Sequence, residues 1–328
     1  MTGLFCRSVT NANRFRSLTA IALCFCLSAC GKNTDSVTSG DEASSTHISQ
    51  SDTNTDSAIS QRLIKQFSDL YQRARTSAAE SLTAIQLFLG SPSAETLEAA
   101  QLAWQQSHDD YLLAQVSQSL SIPHPVLDSP VSDDENIAGH TLEIRLDQYP
   151  AIPGYLDSVN GYPQSGLIHT ELPLTLETLQ NEHQLSDTAY VALGYHALQV
   201  MLFAESTEAD ARHHDFLSVK PAQKSNIDAA KRRREITLLL ATQIVDDITL
   251  RHDEWRAENG FYRDFVLTLA ETTVEKMLRD ALDNESIIQQ TSTDHISSEI
   301  LSQRAALLQG LLQPVETSDK EEPAEKSL

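Results

Sequence analysis

The chain has 328 residues, with 24 Lys+Arg against 46 Asp+Glu and a formal net charge of −22. That balance excludes phosphate-backbone binding, which needs clustered basic residues, so nucleic acid is not expected as a partner. The 4 cysteines (Cys6, Cys24, Cys26 and Cys30) all precede residue 31, leaving the body without material for a disulfide framework or thiolate metal site.

Residues 1–29 read as a secretory signal. Arg7, Arg14 and Arg16 precede an apolar run from Leu18 to Ala29 that is too short for a membrane-spanning helix. Leu27-Ser28-Ala29-Cys30 resembles a bacterial lipobox, which would make Cys30 a lipidated first residue bearing palmitate-type chains; an ordinary cleaved signal is the alternative. Gly31 after the cysteine resembles outer-membrane sorting, so the expected place is the periplasmic face of a Gram-negative outer membrane. The mature chain then carries 21 basic against 46 acidic residues, a formal −25. Such a surface repels anionic head groups, so the acyl chains must hold it at the membrane.

Residues 30–56 hold almost nothing apolar and are expected to form a disordered tether; 314–328 form a disordered acidic tail, leaving 57–313 as the folded part. Ile59, Leu63, Phe67, Leu70, Ala74, Ala78, Leu82, Ile85 and Leu89 step by three or four, one apolar stripe on a long helix ended by Gly90. Ser91-Pro92-Ser93 restarts the chain into a second helix over about 93–119. Further helical stretches are Asp187–Ala204, Ile227–Trp255, Phe261–Leu282 and His295–Gln313. Between Pro123 and Pro173 lie seven of the 11 prolines, with Gly139, Gly154, Gly161 and Gly166, which predicts an irregular crossover with short helical pieces. The fold class is therefore all-α: helical bundles, up to two, joined by a long Pro/Gly-rich crossover.

Polar residues interrupt two apolar helix faces. His196 and Gln199 share one face, and Trp104, His108, Tyr111 and Gln115 stack on another by 4, 3, 4 spacing. A buried polar group without a partner costs about 1–3 kcal/mol, so these must meet partners across the core. They form either a hydrogen-bonded core pair or a ligand pocket of the kind bundles build around metals. No H-E-x-x-H, P-loop, G-x-G-x-x-G or G-x-S-x-G occurs. His140 is spaced three from Glu143 by chance, His213-His214 fits a solvated loop, and Arg232-Arg233-Arg234 reads as helix-start packing or an internal salt-bridge cluster. Asp246-Asp247 would be solvated helix-face charge, or Asp247 an acidic ligand from a neighbouring helix.

Gly194-Tyr195-His196-Ala197-Leu198-Gln199 resembles the G-x-H-x-x-E signature of the imelysin-like family of metallopeptidase-like and iron-uptake-associated proteins. Ala103-Trp104 with Tyr111 resembles that family's A-W-x6-Y helix, and Glu143 to Pro150 its E-x-x-I-N-A-W-P stretch. Tyr155–Val159, Gly166–Ile168 and the run from Arg232 through Asp247 and Trp255 to Arg263 follow in the same order, so the resemblance covers about residues 60 to 280. It implies an imelysin-like bundle whose metal pocket is lined by His196, Gln199 and Gln115. Two positions depart from the pattern, because Gln199 and Gln115 stand where the family carries glutamates, and amides hold divalent or trivalent cations less firmly. An amide is also no general base at neutral pH, which disfavours catalysis. The expectation is a lipid-anchored accessory protein of metal acquisition, with iron first and copper or zinc as alternatives, or no metal at all. An iron-transport component would be its partner. The alternatives are an active metallopeptidase and a non-catalytic interaction scaffold.

Overall fold

The computed structural model describes residues 57–129, 141–204, 212–217, 227–291 and 296–314. These belong to one compact unit, Asn54–Leu328. The signal, Cys30, the tether, His140 and the tail beyond residue 314 lie outside the described residues.

α1 (Ala58–Gly90) opens on Ser57, whose Oγ accepts from Ser60 N at 3.2 Å. Its stripe is buried as the spacing predicts: Leu63, Phe67, Ala74 and Ile85 are inaccessible to solvent. A reciprocal cap between Ser93 and Thr96 starts α2 (Ala94–Gln115), which tightens into a 3-10 turn over Val116–Leu120. The crossover carries three short helices, α3 (Leu142–Asp147), α4 (Pro153–Leu156) and α5 (Leu176–Glu182). α6 (Gly194–Phe203) and α7 (Ala229–Arg256) follow, then α8 (Phe261–Leu267), α9 (Glu271–Thr291) and α10 (Ser298–Leu312). α1 lies between α2 and α7, α6 packs on α7, α2 and α3, and α9 pairs with α10 against the 3-10 turn. The described residues are all-α: they contain no strand, only a bridge between Val159 and Tyr162, and no helix long and apolar enough to cross a membrane.

Two elements differ from the periodicity. The helix expected from Asp187 begins only at Gly194, because the preceding backbone finds other partners. Gln184 N donates to Tyr190 O at 2.8 Å and Ala192 N donates to His183 Nδ1 at 3.1 Å. Val191, Ala192 and Leu193 are thus buried without being helical. The helix expected over Phe261–Leu282 breaks at Thr268–Ala270. Thr268 turns its amide and hydroxyl back to Phe265 O, and Ala270 O accepts from the first turn of α9. Neither Gly nor Pro marks that break.

The triple arginine is internal, as expected. Arg233 donates Nε and Nη2 to Asp157 at 2.7 and 2.6 Å, Arg212 joins the same carboxylate, and Arg232 reaches Leu172 O at 2.9 Å. Asp157 is fully buried; burial alone would raise its carboxyl, but Arg233 and Arg212 hold it below the usual range.

Gly194 fixes the distance between α6 and α3. Its φ is +79°, and a Cβ there would collide with the carbonyl oxygens of Arg145 and Leu146. Gly194→Ala should therefore cost roughly 3 kcal/mol and move α6 off α3. Chemical denaturation checks it, and an unchanged midpoint would contradict this packing.

Candidate metal centre

α3 has only six residues and cannot persist by its own hydrogen bonding. Thr141 Oγ1 accepts from Ile144 N at 3.4 Å, and Leu142 and Leu146 are buried beneath the helix. α7 clamps it at two places. Arg145 Nη2 meets Asp247 Oδ1 at 2.7 Å, and Arg251 Nη2 meets Glu143 Oε1 at 2.6 Å and Asp128 Oδ1 at 2.8 Å. His183, fully buried, ties α3 to the segment leading into α6. Its Nδ1 accepts from Ala192 N, so its Nε2–H donates to Ile144 O at 3.1 Å.

These restraints set the last residue of α3, Asp147, between α2 and α6. Asp147 Oδ1 lies 2.8 Å from His108 Nε2 and 3.2 Å from His196 Nε2. The Asp147 side chain is only 3% exposed. The two imidazoles stand edge to face, 5.2 Å between centroids. His108 is walled by Trp104 at 5.2 Å and Tyr195 at 4.7 Å. Trp104 Nε1 donates to Tyr195 O at 3.1 Å, and the Tyr195 hydroxyl lies 2.7 Å from Ser107 Oγ, so α2 and α6 are locked in register here. On the other side of His196, Gln199 Oε1 lies 3.0 Å from Nδ1, and the half-exposed Tyr149 ring lies 5.0 Å away.

Burial by itself would raise the Asp147 carboxyl, but His108 and His196 outweigh it and hold Asp147 far below the ordinary carboxylate range. For His196 burial works downward, and the hydrogen bond and charge of Asp147, with Gln199, raise it above 6.5. The group is thus a permanent anion between imidazoles. Among the described residues His108, Asp147 and His196 are the set whose ligand-type atoms gather, all within 4.8 Å of one another. Two imidazole nitrogens and one carboxylate oxygen are a donor set for first-row divalent ions, found at zinc sites with two histidines and a carboxylate and at non-haem Fe(II) sites.

The structure brings His196 and Gln199 together and places the other two expected residues elsewhere. Gln115 stands seven residues beyond His108 on α2, about 10 Å of helical rise, where Arg304 Nη1 donates to its Oε1 at 3.3 Å. Arg304 also meets the buried Glu285 at 2.7 Å, so Gln115 belongs to the join of α2 with α9 and α10. Asp247 is occupied by Arg145, and burial raises its carboxyl despite that partner. The His213 and His214 rings lie tilted against each other, 4.2 Å between centroids, in the 3-10 turn Arg212–Phe216. Sequence reasoning placed His108 on a polar stripe without giving it a role and passed over Asp147. The available signal for Asp147 was its spacing: four residues after Glu143, it shares that side chain's helix face.

Residues 68–321, more than three quarters of the chain, match the sequence profile of the Imelysin family. No curated protein matches the chain.

The raised His196 gives a pH dependence of defined sign. Its charged form stabilises the fold fully below 6.5, and that contribution is lost as pH rises through the higher folded value. Chelator-treated protein should lose roughly 2–4 °C of melting temperature between about pH 6 and about pH 9. His196→Gln should lose less over that range. Identical slopes in thermal melts would contradict the assignment.

Proposed function

The chain belongs to the imelysin family, and from that premise we propose that it binds a divalent metal ion through His108, Asp147 and His196 in an accessory role in metal acquisition. The observation that carries this reading is the gathering of two imidazoles around one desolvated carboxylate. Asp147 needs no proton removed before it can act as a ligand, and each imidazole has Nε2 directed at it. In the metal-free state His108 Nε2 donates N–H to the carboxylate and His196 Nε2 stands 3.2 Å from the same oxygen; on metal uptake both nitrogens would offer lone pairs instead. A bound ion would supply Lewis acidity or be carried as cargo.

The surroundings favour holding an ion over hydrolysing a peptide. Glu143, one turn before Asp147 on the same short helix, is one carboxylate that a general-base mechanism could recruit. Arg251 occupies one of its oxygens and the Tyr111 hydroxyl the other. Burial raises its carboxyl against the opposing effect of Arg251 and Tyr111. A carboxylate held on both oxygens is a strut and a poor base. The reading extends to a lipid anchor at Cys30 on the periplasmic face of the outer membrane, to iron as the cargo and to a transport component as partner. It rests there on the lipobox-like Leu27-Ser28-Ala29-Cys30 and on the family's iron-uptake association. Metallopeptidase activity is the second reading, favoured by the donor set of two histidines and a carboxylate, which zinc hydrolases also use.

Titration calorimetry with Zn(II), and with Fe(II) under anaerobic conditions, should give one ion per chain. His108→Ala, Asp147→Asn and His196→Ala should each weaken binding by roughly 100-fold or more. Binding that survives all three substitutions would place the ion elsewhere, and chelator-sensitive proteolysis lost in His196→Ala would favour the second reading.

A further inference from the structure

Gln199 occupies the position at which a glutamate would give the metal group a second carboxylate. Its geometry assigns it a different task. Gln199 Oε1 meets His196 at Nδ1, 3.0 Å away, while Nε2 of the same ring faces Asp147 Oδ1. The two ring nitrogens point to opposite sides of the imidazole, so an oxygen bound at Nδ1 and an ion bound at Nε2 cannot share one coordination sphere. Gln199 sits three residues after His196 on α6, a spacing at which the contact closes within one turn of helix. A histidine that ligates through Nε2 requires an acceptor for its Nδ1–H, and that acceptor sets both tautomer and ring direction.

The charge of the group follows. With both imidazoles neutral, Asp147 alone contributes −1, and Gln199 adds nothing. A divalent ion would leave the site at +1 and a trivalent ion at +2. The His108, His196 and Asp147 side chains are only 7%, 5% and 3% exposed, so the additional uncompensated charge is costly. Imidazole nitrogen also suits the softer divalent ions of the first row.

We propose that Gln199 is a positioning residue: its amide oxygen takes the Nδ1–H of His196, turns Nε2 toward Asp147, and by its neutrality selects a divalent over a trivalent ion. The inference rests on the metal-site reading above, with position 199 serving as the orienting group and not as a ligand. A glutamine there is competent, and a glutamate would change which ion is preferred.

The test titrates the purified chain with Zn(II) and with Ga(III), a redox-inert trivalent ion, against a competing chelator. Gln199→Leu removes the acceptor and should weaken Zn(II) binding by about 10–100-fold with the helical signal intact. Gln199→Glu restores an acceptor and should rescue Zn(II) relative to the leucine variant. It should also raise Ga(III) affinity relative to Zn(II) by about tenfold over wild type, because the added charge acts more strongly on the trivalent ion. Two outcomes overturn the proposal while leaving the site standing: Zn(II) affinity unchanged in Gln199→Leu but abolished in His196→Ala, or Gln199→Glu leaving the Ga(III)-to-Zn(II) affinity ratio at its wild-type value. Wild-type protein that binds neither ion overturns the site and the proposal together.

Discussion

A carboxylate withdrawn from water must be compensated where it stands, and Asp147 imposes that condition on everything around it. Its side chain is 3% exposed and stays ionised because imidazoles from α2 and α6 reach the same oxygen. Three helices distant in sequence must therefore converge to within hydrogen-bonding length. Gly194 permits the closest approach, since its missing Cβ lets α6 begin against the carbonyls that end α3. Tyr195 and His196 follow immediately, one locking α6 to α2 and the other reaching Asp147.

The irregular crossover is held by buried charge more than by regular backbone pairing. Arg251 binds Glu143 and Asp128, Arg145 binds Asp247, and Arg233 with Arg212 enclose Asp157. Such networks are weak sources of net stability, because desolvation opposes the attraction, but breaking one leaves an uncompensated charge. Their use here is positional. Each fixes a short piece of chain against α7, and the resulting rigidity allows a six-residue helix to place Asp147 accurately. His183 completes the frame by satisfying backbone groups on α3 and before α6 at once.

The long helices were legible because a buried stripe at helical spacing has one physical explanation, and α1 buries the residues so identified except Leu82 and Leu89, which are partly buried. The crossover was legible as irregular through its prolines and glycines, and the His196–Gln199 contact through its spacing of three. Asp147 was obscured because its placement depends on tertiary convergence: apart from the helix face it shares with Glu143, nothing local separates it from any solvated acid at a helix end. Gln115 shared a helical face with His108, but two turns of rise carry it into the Arg304 network, a separation that face-sharing alone does not register. The break at Thr268–Ala270 escaped notice because α9 leaves α8 to pack beside the 3-10 turn, a tertiary preference that overrides unbroken periodicity.

Membership of the imelysin family and the paired imidazoles lead to one central claim, that Asp147 and its two histidines are a metal's first coordination shell. X-ray absorption on protein loaded with one equivalent of Zn(II) tests it most directly. The account predicts two imidazole nitrogens and at least one oxygen at about 2.0–2.2 Å, with the imidazole scattering lost in His108→Ala together with His196→Ala. An oxygen-only shell, or a spectrum unchanged by those substitutions, would contradict it.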